Sequence, residues 1–267
     1  MTKEVVSGPK LSGTVRKAFQ ILDQLSCSQA ELAPREVAQL TGLDRTTVYR
    51  LLETLTQVGV VARNPQSRRY RLGLRTLDYA TATLDALEVR HVALSHLIDM
   101  ERELVLEQEE VERGLFVSVL DGADSVLVEM GWTRSVFART GGRMRFPAHA
   151  SAAGRCMIAF MPVVEREKLL SQAEFAPRTP RTLTSRVEVE DRLEQVRARG
   201  YDISDREVFA DLLAIAVPVV GRSGTALASI GLSASANSTT IDKLTERFAS
   251  KLIVAAQRTG MALRHRD

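Results

Sequence analysis

Arg45, Thr46, Thr47, Tyr49 and Arg50 place two guanidinium groups, two aliphatic hydroxyls and a phenol within two helical turns. Groups of these types hydrogen-bond base edges and phosphate oxygens, and the first residues of a recognition helix do so in the major groove. The spacing is helical, with Val48, Leu51, Leu52, Leu55 and Val58 on one face and Thr46, Tyr49, Arg50, Glu53 and Gln57 on the other. Asp44 suits the N-cap, where its carboxylate accepts a backbone N–H at the positive end of the helix dipole. A solvated helix face would carry the same pattern, so the neighbouring residues must decide.

Upstream, Pro34 fits a first helical position, Val37, Ala38 and Leu40 form a short apolar stripe, and Thr41-Gly42 ends it, although Ala33 is a poor cap. Two helices joined by a short turn containing glycine make a helix-turn-helix. Before it, Thr14 is placed to cap a helix to about Ser26, with Val15, Ala18, Phe19, Leu22 and Leu25 as its stripe. After it, Val60 to Arg63, a turn at Asn64-Pro65-Gln66-Ser67 and Arg68 to Leu72 read as a hairpin closing on Gly73, which makes the unit winged. Arg63, Arg68, Arg69 and Arg71 crowd that wing and suit a sugar-phosphate backbone. Residues 1–75 carry 12 Lys/Arg against 6 Asp/Glu, whereas residues 76–267 carry 24 against 27. The cationic excess therefore lies with the wing and the candidate reading helix, as an electrostatic footprint for double-stranded DNA requires.

A second chemistry is carried by His149, Ser151 and Cys156, which lie close enough to suggest a hydrolase. No neighbour supplies the third group that would orient the base, so an enzyme is not the expectation. Cys27 and Cys156 are too far apart for a disulfide framework, and His91, His96, His149 and His265 lack metal-ligand spacing. No cofactor is implied. No apolar run is long enough to span a membrane, and Met1 to Pro9 lacks the apolar core of a secretory signal, which gives a cytoplasmic expectation.

Beyond the wing, Leu74 to Asp85 reads as a linker helix, and Val89 to Leu106 as a further helix. Strands follow at 115–120 and 125–130 around the turn Asp121-Gly122-Ala123-Asp124. Helices follow at 151–160, 165–170 and 187–199, strands at 201–204, 213–219 and 225–232, and a long helix at 239–263. Strands outnumber what βαβ alternation needs, so the fold class is α+β with an antiparallel sheet. The domains expected are 1–73 for DNA binding, 74–88 as linker helix and 89–267 for effector binding and oligomerisation.

The chain resembles the IclR-type bacterial transcriptional regulators. The likeness rests on Thr14-Val15-Arg16-Lys17-Ala18, on the helix-turn-helix and on the wing ending Arg69-Tyr70-Arg71-Leu72-Gly73. It continues through Pro147-Ala148-His149-Ala150-Ser151-Ala152-Ala153-Gly154-Arg155, Pro180-Arg181-Thr182-Leu183-Thr184, and Arg199-Gly200-Tyr201 leading to Ile215-Ala216-Val217-Pro218-Val219. The resemblance implies a GAF-like C-terminal effector domain, a homodimer or homotetramer, and a small organic or aromatic acid that sets operator affinity. By motif, the effector pocket would hold Ala138, Phe146, Ala152, Ala153, Leu212, Ala214, Gly231 and Ser233, with Ser204 and the following Asp205 at its mouth. The backbone N–H groups of Ala152 and Ala153 would form its floor, at a helix start where anions are favoured.

Where such regulators often carry an acidic residue, a Gly-Leu-Arg-Cys run and paired serines, this chain has Ser204, Asp211-Leu212-Leu213-Ala214, and Gly231 with Ser233. Fewer polar walls favour a bulkier aromatic or hydrophobic carboxylate over a two- or three-carbon acid. Arg139, Arg143 and Arg145, around Thr140-Gly141-Gly142, read as a solvent-facing loop with charge to steer an anion. A DNA-binding protein whose second domain only dimerises fits the same sequence, and repression and activation fit equally.

Overall fold

In the first unit, Ser12 and Asp44 each start a helix by taking up an orphan N–H group of its first turn. The computed structural model describes residues 11–106, 113–131 and 144–264, and the chain divides into two units, Met1–Leu84 and Asp85–Asp267. In the first, α1 (Gly13–Cys27) is capped by Ser12 and not by Thr14: the Ser12 hydroxyl accepts the N–H of Val15 at 3.5 Å. In α2 (Pro34–Thr41) Ala33 has no side-chain acceptor for the first turn; Pro34 has no N–H to satisfy there, and Glu36 reaches back to accept the Ala33 N–H at 2.7 Å. Gly42, at φ 69°, closes α2 in the left-handed region. α3 (Arg45–Gln57) starts from Asp44, whose carboxylate accepts the Thr47 N–H at 2.8 Å.

The core of this unit joins Ile21 and Leu25 of α1, Val37 of α2, and Val48, Leu51, Leu52 and Leu55 of α3 to Val61 and Tyr70 of the wing. Each such side chain contributes roughly 1.5–3 kcal/mol of apolar burial. The expected stripes overreach at their ends: Leu40 and Val58 are exposed, as are Val15 and Phe19. In α1 the buried line runs through Ile21 and Leu25 with Ala18 and Leu22 packed against it, whereas Val15 and Phe19 face outward.

The wing strands β1 (Val61–Arg63) and β2 (Tyr70–Leu72) pair antiparallel, Val61 facing Leu72 and Arg63 facing Tyr70. Leu32 forms a separate antiparallel bridge to β2 by exchanging two backbone hydrogen bonds with Tyr70, at 2.9 and 2.8 Å. A Cβ at Gly73 would fall 2.2 Å from the Gly59 carbonyl oxygen, so only glycine lets the strand leave the wing so close to the end of α3. α4 (Arg75–Asp85) follows with no buried side chain.

The second unit is α+β. α5 (Glu88–Leu106) leads to a six-stranded, fully antiparallel sheet in the order β5-β4-β3-β8-β7-β6. Its strands are β3 (Arg113–Asp121), β4 (Asp124–Met130), β5 (Arg145–Pro147), β6 (Asp202–Asp205), β7 (Leu212–Val220) and β8 (Ala226–Ser235). Between β5 and β6 run α6 (Ala152–Ala159), α7 (Val163–Gln172) and α8 (Arg186–Arg199), and α9 (Ile241–Arg264) ends the unit. β5 is an addition to the elements expected; three residues ending in proline carry too little alternation to read.

Both faces of the sheet are covered. Phe116 and Ala216 pack with Ala153, Cys156 and Ile158 of α6 and with Val189, Leu193 and Val196 of α8. Leu213, Ile215, Val217 and Val219 alternate with that set, so they face the other way, and all are buried. α9, which packs on β7 and on α5, accounts for that side.

Candidate functional sites

Two sites emerge, one in each unit. On α3, Arg45, Thr46, Tyr49 and Arg50 are all exposed, Tyr49 at 56%, and neither guanidinium has a partner among the described residues. Thr47 behaves differently. It is half-buried, and its hydroxyl and N–H both serve Asp44, holding that carboxyl below its usual range with help from the charge of Lys17. The polar face of α3 therefore offers one free threonine hydroxyl, one phenol and two unpaired cations within its first two turns.

The wing arginines are not equivalent. Arg69 donates to Glu36 at 2.8 Å and to the Glu31 carbonyl at 2.9 Å. The Ala33 N–H first, and then Arg69, hold the Glu36 carboxyl below the ordinary range. Arg71 faces Glu31 at 3.7 Å, and Arg63 lies over the Tyr70 ring, 5.5 Å from its centroid. Arg68 sits at the wing tip with φ 59°, exposed, its side chain without a partner among the described residues. Four cations in sequence thus leave one wholly uncommitted, and Arg69, expected at the DNA, braces the unit internally.

The second site is a hollow in the sheet. Ser204, Ala214, Ser233 and Gly114 face one another across β6, β7, β8 and β3, and opposed residues share a face. Such small side chains leave a cavity of about 600 Å³ of atom-free space, its open mouth included. Two residues along, Asp202, Ala216, Gly231 and Phe116 form the next row. A Cβ on Gly231 would lie 2.3 Å from the Phe116 Cζ, so glycine makes room for a ring that walls the cavity.

Of the residues expected here, Phe146, Ala152, Ala153, Ser204, Leu212, Ala214 and Ser233 line the cavity. Gly231 lies behind Phe116, and Asp205 is drawn away to Arg181 and Arg206. Ala138 lies outside the described residues, as do Arg139 and Arg143, and Arg145 is bound to Asp121 and Asp124. The lining also takes in Phe116, Leu127, Met130, Val208 and Phe209. Alternation along β3 would have found Phe116, but Val208 and Phe209 sit in an irregular connection. Phe209 meets Phe146 edge to face at 5.9 Å.

Polar groups are few. Ser125 is taken by Ser118 at 2.6 Å, Ser233 by the Gly114 carbonyl at 3.3 Å, and Ser151 caps α6 by accepting the Gly154 N–H at 3.0 Å. That leaves the buried Ser204 hydroxyl without a side-chain partner among the described residues, together with the N–H groups of Ala152 and Ala153, which have no acceptor inside the helix. Among the described residues, no carboxylate or cation lines the cavity.

Beneath it, Arg155 is fully buried and fully committed. Its Nε meets Asp202 at 2.5 Å and its Nη2 meets Glu207 at 2.7 Å, while the carbonyls of His149 and Ile203 accept from Nη1 and Nη2. It thus ties the start of α6 to β6 and to the connection carrying Val208 and Phe209. Burial is the larger influence on Glu207 and pushes its carboxyl up, against the opposing pull of Arg155 and Arg192.

His149, Ser151 and Cys156 do not assemble a nucleophile. Burial drives the Cys156 thiol well above its ordinary range, and the thiol donates to the Ala216 carbonyl. The Ser151 hydroxyl is the helix cap. Burial also pushes the His149 imidazole down, and its ring stacks edge-on against Phe175. Among the described residues, no three His, Cys, Asp or Glu side chains are grouped to hold a metal, and no helix is long and apolar enough to cross a membrane.

Comparison with known proteins matches residues 14–65 to the IclR helix-turn-helix domain and residues 81–260 to the bacterial transcriptional regulator IclR C-terminal domain. The chain belongs to the IclR family. It is a DNA-binding transcriptional regulator with a C-terminal effector-binding domain, and the relatives are regulators, not enzymes. The HTH-type transcriptional regulator KdgR of Dickeya chrysanthemi is 31% identical over 231 residues, covering 84% of this chain and 72% of that one. XynR of Escherichia coli (strain K12) is 29% identical over 223 residues, covering 82% and 85%. Among solved structures, a transcriptional regulator from Rhodococcus sp. RHA1 superposes with a TM-score of 0.75 at 26% identity, covering 96% of this chain and 100% of that one. An IclR homolog from Microbacterium hydrocarbonoxydans, complexed with 4-hydroxybenzoate, shares the fold with a TM-score of 0.75 at 22% identity, covering 95% and 100%. This IclR-family chain therefore carries its α3 face and its sheet cavity in the two domains that the family match delimits.

Proposed function

We propose that residues 1–73 of this regulator bind operator DNA, that 74–88 link, and that 89–267 bind an aromatic carboxylate and oligomerise. Arg45, Thr46, Tyr49 and Arg50 enter the major groove, with Arg68 on the backbone beside it. The observation that carries the DNA assignment is the pair of exposed guanidinium groups at the start of α3, without a partner among the described residues. The stripe Leu11, Val15 and Phe19, exposed at 79, 55 and 60%, supports a homodimer, because paired heads give an apolar face of this kind a second copy to meet. Such a dimer calls for a roughly palindromic operator with half-sites near one helical turn apart, bound in the cytoplasm.

In the effector cavity, the carboxylate sits on the N–H groups of Ala152 and Ala153, where the α6 dipole favours an anion, and the ring lies among Phe116, Phe146 and Phe209. The Ser204 hydroxyl meets a second polar substituent. The 4-hydroxybenzoate held by the Microbacterium homolog is of this class. The apolar side chains that dominate the described lining favour such a ring over a two- or three-carbon acid.

The roles on the DNA separate by mutation. Arg50→Ala is expected to weaken the preferred duplex by roughly 1–3 kcal/mol more than a mixed-sequence duplex. Arg68→Ala should weaken both alike and make the salt dependence shallower by about one phosphate contact. Equal losses on both duplexes from both substitutions would contradict the assignment.

A further inference from the structure

The wing is held by a carboxylate that charge counting places on the wrong side of the balance. Glu31, in the connection between α1 and α2, accepts hydrogen bonds from Asn64 Nδ2 at 2.9 Å and from Ser67 Oγ at 3.0 Å. It lies 3.7 Å from the Arg71 Nε, and its main-chain oxygen accepts from Arg69. The adjacent Leu32 is the residue that pairs with Tyr70 of β2. Asn64 in turn shapes the wing turn, since its Oδ1 accepts the N–H groups of Gln66 and Ser67. One acidic side chain therefore grips the wing at both ends of the turn that lifts Arg68 into solvent.

We propose that Glu31 is a positioning residue for DNA binding, bracing the wing so that the exposed Arg68 is presented to the duplex backbone. This rests on the wing assignment above. An anion near a phosphate-binding surface should, by charge alone, weaken binding, and its removal should tighten it. Bracing has the opposite sign, because an unbraced turn must be ordered when it binds and its cation then contributes less.

The test uses a mixed-sequence duplex, since phosphate contacts do not depend on the operator. With the full-length chain, Glu31→Ala is expected to lower affinity about fivefold at about 0.15 M salt, and to make the slope of log affinity against log salt shallower by about one contact. Arg68→Ala should do the same, and the double variant should be no worse than about twofold beyond either single change. Glu31→Gln keeps a carbonyl acceptor for Asn64 or Ser67 and should bind within about twofold of the unaltered chain. Asn64→Ala, made from the wing side, should reproduce the Glu31→Ala loss and its lack of additivity with Arg68→Ala. Tighter binding by Glu31→Ala, or losses that multiply with those of Arg68→Ala, would overturn the bracing role while leaving the wing on the DNA. An unchanged slope in Arg68→Ala would instead remove the wing from the duplex.

Discussion

Arg155→Met is expected to destabilise the second unit by roughly 3–5 kcal/mol, the range for removing one partner of a buried ion pair. Arg155 is wholly inaccessible and neutralises two buried carboxylates. Asp202 keeps Arg199 at 2.7 Å after the change, but Glu207 keeps only Arg192, at 3.6 Å. Glu207 should therefore account for most of the loss. Its carboxyl is already pushed up by burial, against the pull of Arg155, so removing that cation raises it further. A carboxyl whose folded pKa lies above its unfolded one costs stability only while it is ionised. The cost is absent below the unfolded value and complete above the folded one. Denaturant unfolding should therefore show a deficit that grows as the pH is raised from about 5 to about 8. A deficit under about 1 kcal/mol, or one that grows on acidification, would show that the network is not held in this way.

Ala214→Leu should abolish effector binding while leaving the fold intact. Ala214 lies between Ser204 and Ser233 on the floor of the cavity, so the added carbons enter space that the ligand would use. If the effector is an aromatic carboxylate such as 4-hydroxybenzoate, a concentration about a hundredfold above its Kd should stabilise the unaltered chain by about 2.7 kcal/mol through mass action, visible as a rise in melting temperature. In the variant that rise should vanish, with an affinity loss of at least about a hundredfold. Its own stability should change by less than about 1.5 kcal/mol, because a leucine here fills a void without displacing packed atoms. A normal ligand-induced shift in the variant would place the ligand elsewhere. The absence of a shift in the unaltered chain with any aromatic carboxylate would remove the proposed effector class.

The parts of this molecule that could be read from sequence are those governed by neighbours within a few residues. Asp44 as a cap, Gly42 as a helix end and the apolar line Val48, Leu51, Leu52 and Leu55 follow from local hydrogen bonding and helical period, and all stand in the structure. Phe146, Ala152 and Ala153 reached the cavity through motif resemblance, not through any local signal.

Relations across long separations were not legible. Nothing near Arg69 shows that its guanidinium closes on Glu36, nor does anything near Asn64 point to Glu31. Val15 and Phe19 obey the helical period, yet period identifies an apolar face without saying what covers it. Arg155 stands in a helix whose residues are all buried, where no alternation marks a charged core residue. Gly231 resembles a pocket residue until the Phe116 ring is seen lying against it.

The central claim is that a dimer of this IclR-family regulator reads base sequence through the first turns of α3. Selection from a pool of random duplexes by the full-length chain, at about 0.15 M salt, tests it most directly. The account predicts enrichment of an inverted repeat whose half-sites lie about one helical turn apart, with the enrichment at one base position per half-site lost in Arg50→Ala. A pool that binds and is recovered without sequence enrichment would contradict it.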